Sequence, residues 1–146
     1  MTNLKSQSGR SMVEMLGVLA IIGVLSIGGI AGYTMAMNRY KANEILSVAA
    51  QVAVVGQTAN MGEGADTSAS TLGLPTNGAS TIEYKKTSKK IEITGVEGGI
   101  ANAINSIVGG TTSACSDTVE GKTTTTCTLE MTNGRLTGTS AITPES

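Results

Sequence analysis

Hydrophobic residues recur along this chain in three different rhythms, and each rhythm predicts a different element. From Met15 through Asn38 no charged side chain occurs. As a helix this stretch spans roughly 36 Å, against a bilayer hydrocarbon core of about 30 Å. Backbone in lipid must satisfy its own hydrogen bonds, which selects helix for such a segment. Beyond it Ala42, Ile45, Leu46, Ala49, Val52 and Ala53 keep helical spacing, while Lys41, Asn43, Glu44, Ser47 and Gln51 take the other face. The helix therefore continues as an amphipathic one and is expected to end between Gly56 and Gly62.

The rhythm then changes. Ala59 to Ser80 is rich in glycine, serine and turn formers, with Leu74-Pro75-Thr76-Asn77-Gly78 inside it, and reads as a long loop with turns. Thr81 to Tyr84 and Lys90 to Thr94 alternate apolar and polar residues as half-buried strands do, with Lys85 to Lys89 as the hairpin end. Ile100, Ala103, Ile104, Ile107 and Val108 return to helical spacing between the pairs Gly98-Gly99 and Gly109-Gly110, which predicts a short helix lying against the sheet. Lys122 to Met131 carries Cys127, Leu129 and Met131 at alternate positions and reads as a strand; the tail from Thr132 is expected to fray. The fold class that follows is α+β: a long N-terminal helix, apolar then amphipathic, packed on a small antiparallel sheet with a short extra helix.

Composition sharpens this picture. The chain has 146 residues, no Phe, Trp or His and only three Tyr, so a core outside the membrane must be built from Ile, Val, Leu, Ala and Met. Such a core is modest, and a staple helps it. Cys115 and Cys127 can supply one; closing that loop restricts the unfolded chain by roughly 3 kcal/mol in the entropy model. The alternative is two free thiols, but a spanning segment followed by a Thr-, Ser- and Gly-rich domain looks exported, which favours the disulfide.

Charge bears on orientation and on partners. Lys5 and Arg10 precede the apolar segment and Arg39 and Lys41 follow it, which leaves orientation undecided. A disulfide requires an oxidising compartment for the C-terminal part and so places the N-terminus in the cytoplasm. Lys85, Lys86 and Lys89 make the strongest basic patch, but with one tyrosine beside it and no wider basic field it reads as a solvated turn rather than a nucleic-acid surface. Glu63 and Asp66 lack the spacing of a calcium loop. Two cysteines without histidine are too few ligands for structural zinc. No histidine, nucleophile paired with a base, phosphate-binding glycine loop or ligand cluster points to catalysis, a metal or another cofactor.

Two features of the N-terminal region carry more specific information. Glu14 is a single carboxylate at the start of the apolar run, a costly placement unless it is paired. Gly28-x-x-x-Gly32 fits the small-x-x-x-small pattern of helices that approach one another closely in membranes. The run Gly9-Arg10-Ser11-Met12-Val13-Glu14-Met15-Leu16, followed by Gly17-Val18-Leu19-Ala20-Ile21-Ile22-Gly23-Val24-Leu25, resembles the class III signal of type IV pilins and of type II secretion pseudopilins. In that family a prepilin peptidase cuts on the cytoplasmic side of the membrane after a glycine, with a glutamate five residues beyond the cut. Gly9 and Glu14 stand at that spacing.

The resemblance covers about the first third of the chain. It implies a leader at 1–9, removed after Gly9, and a new N-methylated terminus at Arg10. It further implies a long helix over 10–58 that spans the membrane at about 15–37, and a small extracytoplasmic pilin-type domain at 59–146. Glu14 would neutralise the terminal amine of a neighbouring subunit during assembly; its bland alternative is an ion pair with Arg10 within the same helix. The implied partners are further copies in a homopolymeric or mixed filament, the prepilin peptidase, an inner-membrane pilus or secretion assembly platform, and membrane lipid. Before assembly the chain would be a single-pass bacterial inner-membrane protein, and afterwards part of a periplasmic or extracellular filament. Arg10 stands where the family usually has Phe, Met or Leu, and the proline common in its apolar helix is missing, which leaves Gly28-Gly29 as the place for the helix to loosen.

Two other readings stay open. One is a monomeric, membrane-anchored binding module whose domain after Ala59 recognises a ligand. The other is a secreted protein cut among the small residues Ser26, Gly28, Gly29 and Ala31.

Overall fold

A computed structural model of the protein describes residues 8–59, 66–109, 113–116 and 125–139, the backbone alone at 8–10 and 59. The chain divides into two compact units, Met1–Ala36 and Met37–Ser146.

The first element is helix α1, Ser8–Ala59. It stays helical through Gly28 and Gly29, so the expected loosening there does not occur. Single glycines cost helix stability, but the neighbouring leucines, isoleucines and alanines carry the hydrogen-bonded run across them.

In the second unit the later part of α1 meets a sheet. Five antiparallel strands lie in the order β1-β2-β3-β4-β5, with β1 Thr67–Ser68, β2 Thr81–Lys85, β3 Lys90–Val96, β4 Thr125–Thr132 and β5 Arg135–Gly138. The hairpin read from the sequence is present, with Lys85 opposite Lys90 and Ile82 opposite Ile93. One face collects Ile82, Tyr84, Ile91, Ile93, Cys127 and Leu129, all buried with Ala42, Ile45, Ala49, Val52 and Ala53 of α1. Period-two residues on the strands and helical-period residues on α1 are thus the two halves of one core.

Two strands escaped the sequence pattern. The segment read as loop contains β1, whose two residues pair with Tyr84 and Glu83; a strand that short has no period to detect. The tail expected to fray forms β5, pairing Arg135 with Thr132 and Leu136 with Met131. The signal was Asn133-Gly134, both with positive φ (52° and 75°), as a two-residue hairpin turn requires. Strand β3 also runs past Thr94: Gly95, at φ 69°, takes up a register shift and lets the strand continue to Val96. Any Cβ at Gly95 would collide with the Ser80 side chain.

Helix α2, Gly98–Val108, buries Ile100, Ala101, Ala103, Ile104 and Val108. The pair Gly98-Gly99, read as its flank, is its first turn instead, because Gly99 without a side chain leaves room for the Asn38 carboxamide of α1. Gly109 ends it at φ 61°, its N–H bonded to the Asn105 carbonyl.

Cys115 and Cys127 are joined in a disulfide, as the composition suggested. The two residues face each other as an isolated antiparallel bridge. The Thr128 N–H donates to the Ala114 carbonyl at 2.7 Å and the Ser116 N–H to the Thr126 carbonyl at 3.1 Å. The outer edge of β4 is therefore shared: β5 holds it from Leu129 onward, and residues 114–116 hold it around Cys127.

Candidate functional site

The segment with the most unusual surface is the first unit. Between Met12 and Met35 every large apolar side chain is exposed, from Ile22 at 52% to Ile27 at 74%. Folded proteins seldom show water a contiguous apolar surface of this kind without a lipid or protein partner. Each such Ile, Leu or Val gains roughly 1.5–3 kcal/mol on leaving water. The helix is long and apolar enough to cross a bilayer by length and composition.

Its polar groups are arranged to tolerate an apolar medium. The Ser26 hydroxyl donates to the Ile22 carbonyl at 2.7 Å, and the Thr34 hydroxyl to the Ala31 carbonyl at 2.9 Å. Both donors are satisfied within the helix itself, which removes the several kcal/mol that an unpaired hydroxyl would cost in hydrocarbon. A Cβ added at Gly17, Gly23, Gly28, Gly29 or Gly32 would meet nothing within 4 Å. Among the described residues the Gly28–Gly32 strip is therefore an open face, one on which another helix can approach closely.

Glu14 is exposed at the start of this surface, on α1. Gly9 and Arg10 lie in the helical backbone of α1, and an Arg10–Glu14 ion pair falls outside the described residues, as does Glu63.

The charged groups of the second unit are spoken for to a large extent. On the sheet face away from the core, Lys85 Nζ lies 2.7 Å from Glu83 and 3.7 Å from Asp66. The Glu83 hydrogen bond, aided by the charges of Asp66 and Glu92 and partly opposed by desolvation, pushes the Lys85 ammonium pKa up. Asp66 also accepts the Lys86 backbone N–H at 2.9 Å and so ties the start of β1 to the hairpin. Lys90 stands opposite Glu130 in register. At the end of the sheet a groove of about 480 Å³ is lined by Gln57, Tyr84, Lys86, Lys89, Glu130 and Met131. Its lining combines two lysines, a carboxylate and a carboxamide with the Tyr84 ring and the Met131 thioether.

Just past the apolar segment, Tyr40 is exposed and its phenol pKa is pushed up, first by a hydrogen bond to Glu44 and then by that carboxylate's charge.

One structural residue that sequence reasoning missed is Asn105. Its side-chain oxygen accepts the Cys115 N–H at 3.0 Å. Nothing in a helical sequence signals that an asparagine in the last turn serves a segment ten residues further on.

Compared with known proteins, the chain matches no family model, no curated protein and no solved structure.

Proposed function

We propose that this chain is the structural subunit of a type IV pilus or of a type II secretion pseudopilus. It is made as an inner-membrane prepilin, cut after Gly9, N-methylated at Arg10 and polymerised through its apolar N-terminal helix. The observation that supports this reading most is the long exposed apolar surface between Met15 and Met35, without a charged side chain, on a helix whose later part anchors a folded domain. Lipid can cover that surface first and neighbouring copies of the same helix can cover it afterwards, so transfer from bilayer to filament keeps it out of water throughout. The Gly9-to-Glu14 spacing adds the processing step, and Glu14 adds an acceptor for a neighbour's terminal amine.

Intact mass tests the reading. The chain extracted from membranes and from a sheared surface fraction is expected to begin at Arg10, with one added methyl group. Glu14→Ala is expected to leave the subunit inserted in the membrane but poorly assembled. The groove beside Gln57 favours a second reading, a monomeric membrane-anchored binding module. A full-length chain found in the membrane alone would select that one.

A further inference from the structure

We propose that Asn105 is the latch that keeps external thiols away from the Cys115–Cys127 bridge, by holding the short segment around Cys115 on the edge of the sheet. Cys115 faces Cys127 in the antiparallel bridge, and the hydrogen bonds to β4 are made by its neighbours Ala114 and Ser116. In an antiparallel pair the residue between two such bonds points its own N–H away from the partner strand. Among the described residues no further strand meets that outward N–H of Cys115, and the Asn105 carboxamide oxygen of α2 takes the place of one at 3.0 Å.

The segment is therefore clamped from both sides, by β4 through backbone groups and by α2 through one side chain. Asn105 is well placed for this: its own carbonyl accepts the Gly109 N–H, so the last turn of α2 is closed where the latch sits.

Burial turns the clamp into a gate. Cys115 is 3% exposed and Cys127 fully buried, so a thiolate cannot approach either sulfur along the line of the S–S bond while the segment is docked. Thiol–disulfide exchange needs that approach. Reduction must therefore wait for residues 114–116 to lift from β4, and lifting requires the Asn105 bond to break. Oxidation faces the same gate in reverse: glutathione disulfide has to reach one cysteine thiolate before the segment docks. Attack by that thiolate forms the mixed disulfide and releases one glutathione thiolate; the second cysteine thiolate then displaces the other, closing the bridge, and the two protons given up by the cysteines end on the two glutathiones. Asn105 is a positioning residue in this scheme and takes no part in the exchange itself.

The test uses the full chain in detergent micelles with dithiothreitol as the probe, following free thiol with time. Opening-limited reduction is expected to reach a plateau that no longer rises with dithiothreitol concentration. Asn105→Ala is expected to raise that plateau about tenfold, the effect of losing one hydrogen bond to a buried amide. Asn105→Asp retains an acceptor oxygen at the same place and is expected to stay near the wild-type rate. Ile104→Val, which loosens the same helix without touching the latch, controls for general destabilisation measured by urea unfolding. An unchanged plateau in Asn105→Ala would overturn the proposal. So would equal acceleration in Asn105→Asp, or acceleration in Ile104→Val matching that of Asn105→Ala at equal loss of stability.

Discussion

Along α1, Ile21 and Ile30 keep 62% and 67% of their surface open, whereas Ile45 and Val52 on the same helix keep none. The residues are chemically alike; their neighbours differ. Around Ile21 the helix is apolar on all sides, so no single face can be turned inward to hide it. Around Ile45 the polar residues Asn43, Ser47 and Gln51 define an outer face, and the apolar stripe left over matches the sheet face made by Ile82, Ile91 and Ile93. The second stretch carries a complete instruction for burial within the chain. The first finds no such matching face among the described residues.

The bluntest way to break this comparison is to cut between the two units. A chain of residues 37–146 is expected to stay soluble and folded in water, whereas the full chain is expected to need detergent. Sedimentation and far-ultraviolet circular dichroism decide it, and a fragment that precipitates as readily as the whole would show that the second unit has no self-sufficient core. Next in size come paired core and surface truncations. Ile45→Ala is expected to cost about 2–5 kcal/mol in urea unfolding, as large-to-small core changes do. Ile21→Ala is expected to leave the domain's stability within about 0.5 kcal/mol.

Glycines sharpen the contrast at a smaller scale. A Cβ at Gly56 would run into the Tyr84 ring, so Gly56→Ala is expected to destabilise by about 1–3 kcal/mol through overpacking. Gly32→Ala meets open space and is expected to leave unfolding unchanged while weakening helix association in detergent, read by cross-linking. No loss of association would remove the Gly28–Gly32 strip from the assembly surface. The smallest effect concerns pH. Because the folded protein holds the Lys85 pKa above the ordinary 10.5, the stability this adds is fully present below that value and fades as pH rises through the folded one. Lys85→Gln is expected to flatten that shallow alkaline decline in a urea-midpoint series carried from about pH 10 upward through the folded pKa. A decline of the same slope in the variant would assign it to other groups.

Much of the architecture was legible from periodicity, because it arises from many residues agreeing. The amphipathic stripe of α1, the β2–β3 hairpin, α2 and the core of β4 each rest on several apolar positions in register. The misses rest on one or two residues. Strand β5 has a single inward apolar side chain, Leu136, and only the Asn133-Gly134 turn announces it. The continuation of β3 through Gly95 depends on one left-handed residue. At the candidate site the apolar surface and the placement of Glu14 were readable directly, since they need no tertiary partner within the chain.

A helix long enough to span a bilayer near the N-terminus, and the single apolar stripe on its later turns, are written in the order of residues alone. Local hydrogen bonding and hydrophobic spacing suffice for both. Which groups from distant parts of the chain meet emerges only on packing: Gly56 beneath Tyr84, Gly99 beside Asn38, Asp66 on the hairpin, and Asn105 on the Cys115 amide. Such contacts depend on where packing places whole elements, and no local pattern of residues encodes that placement on its own.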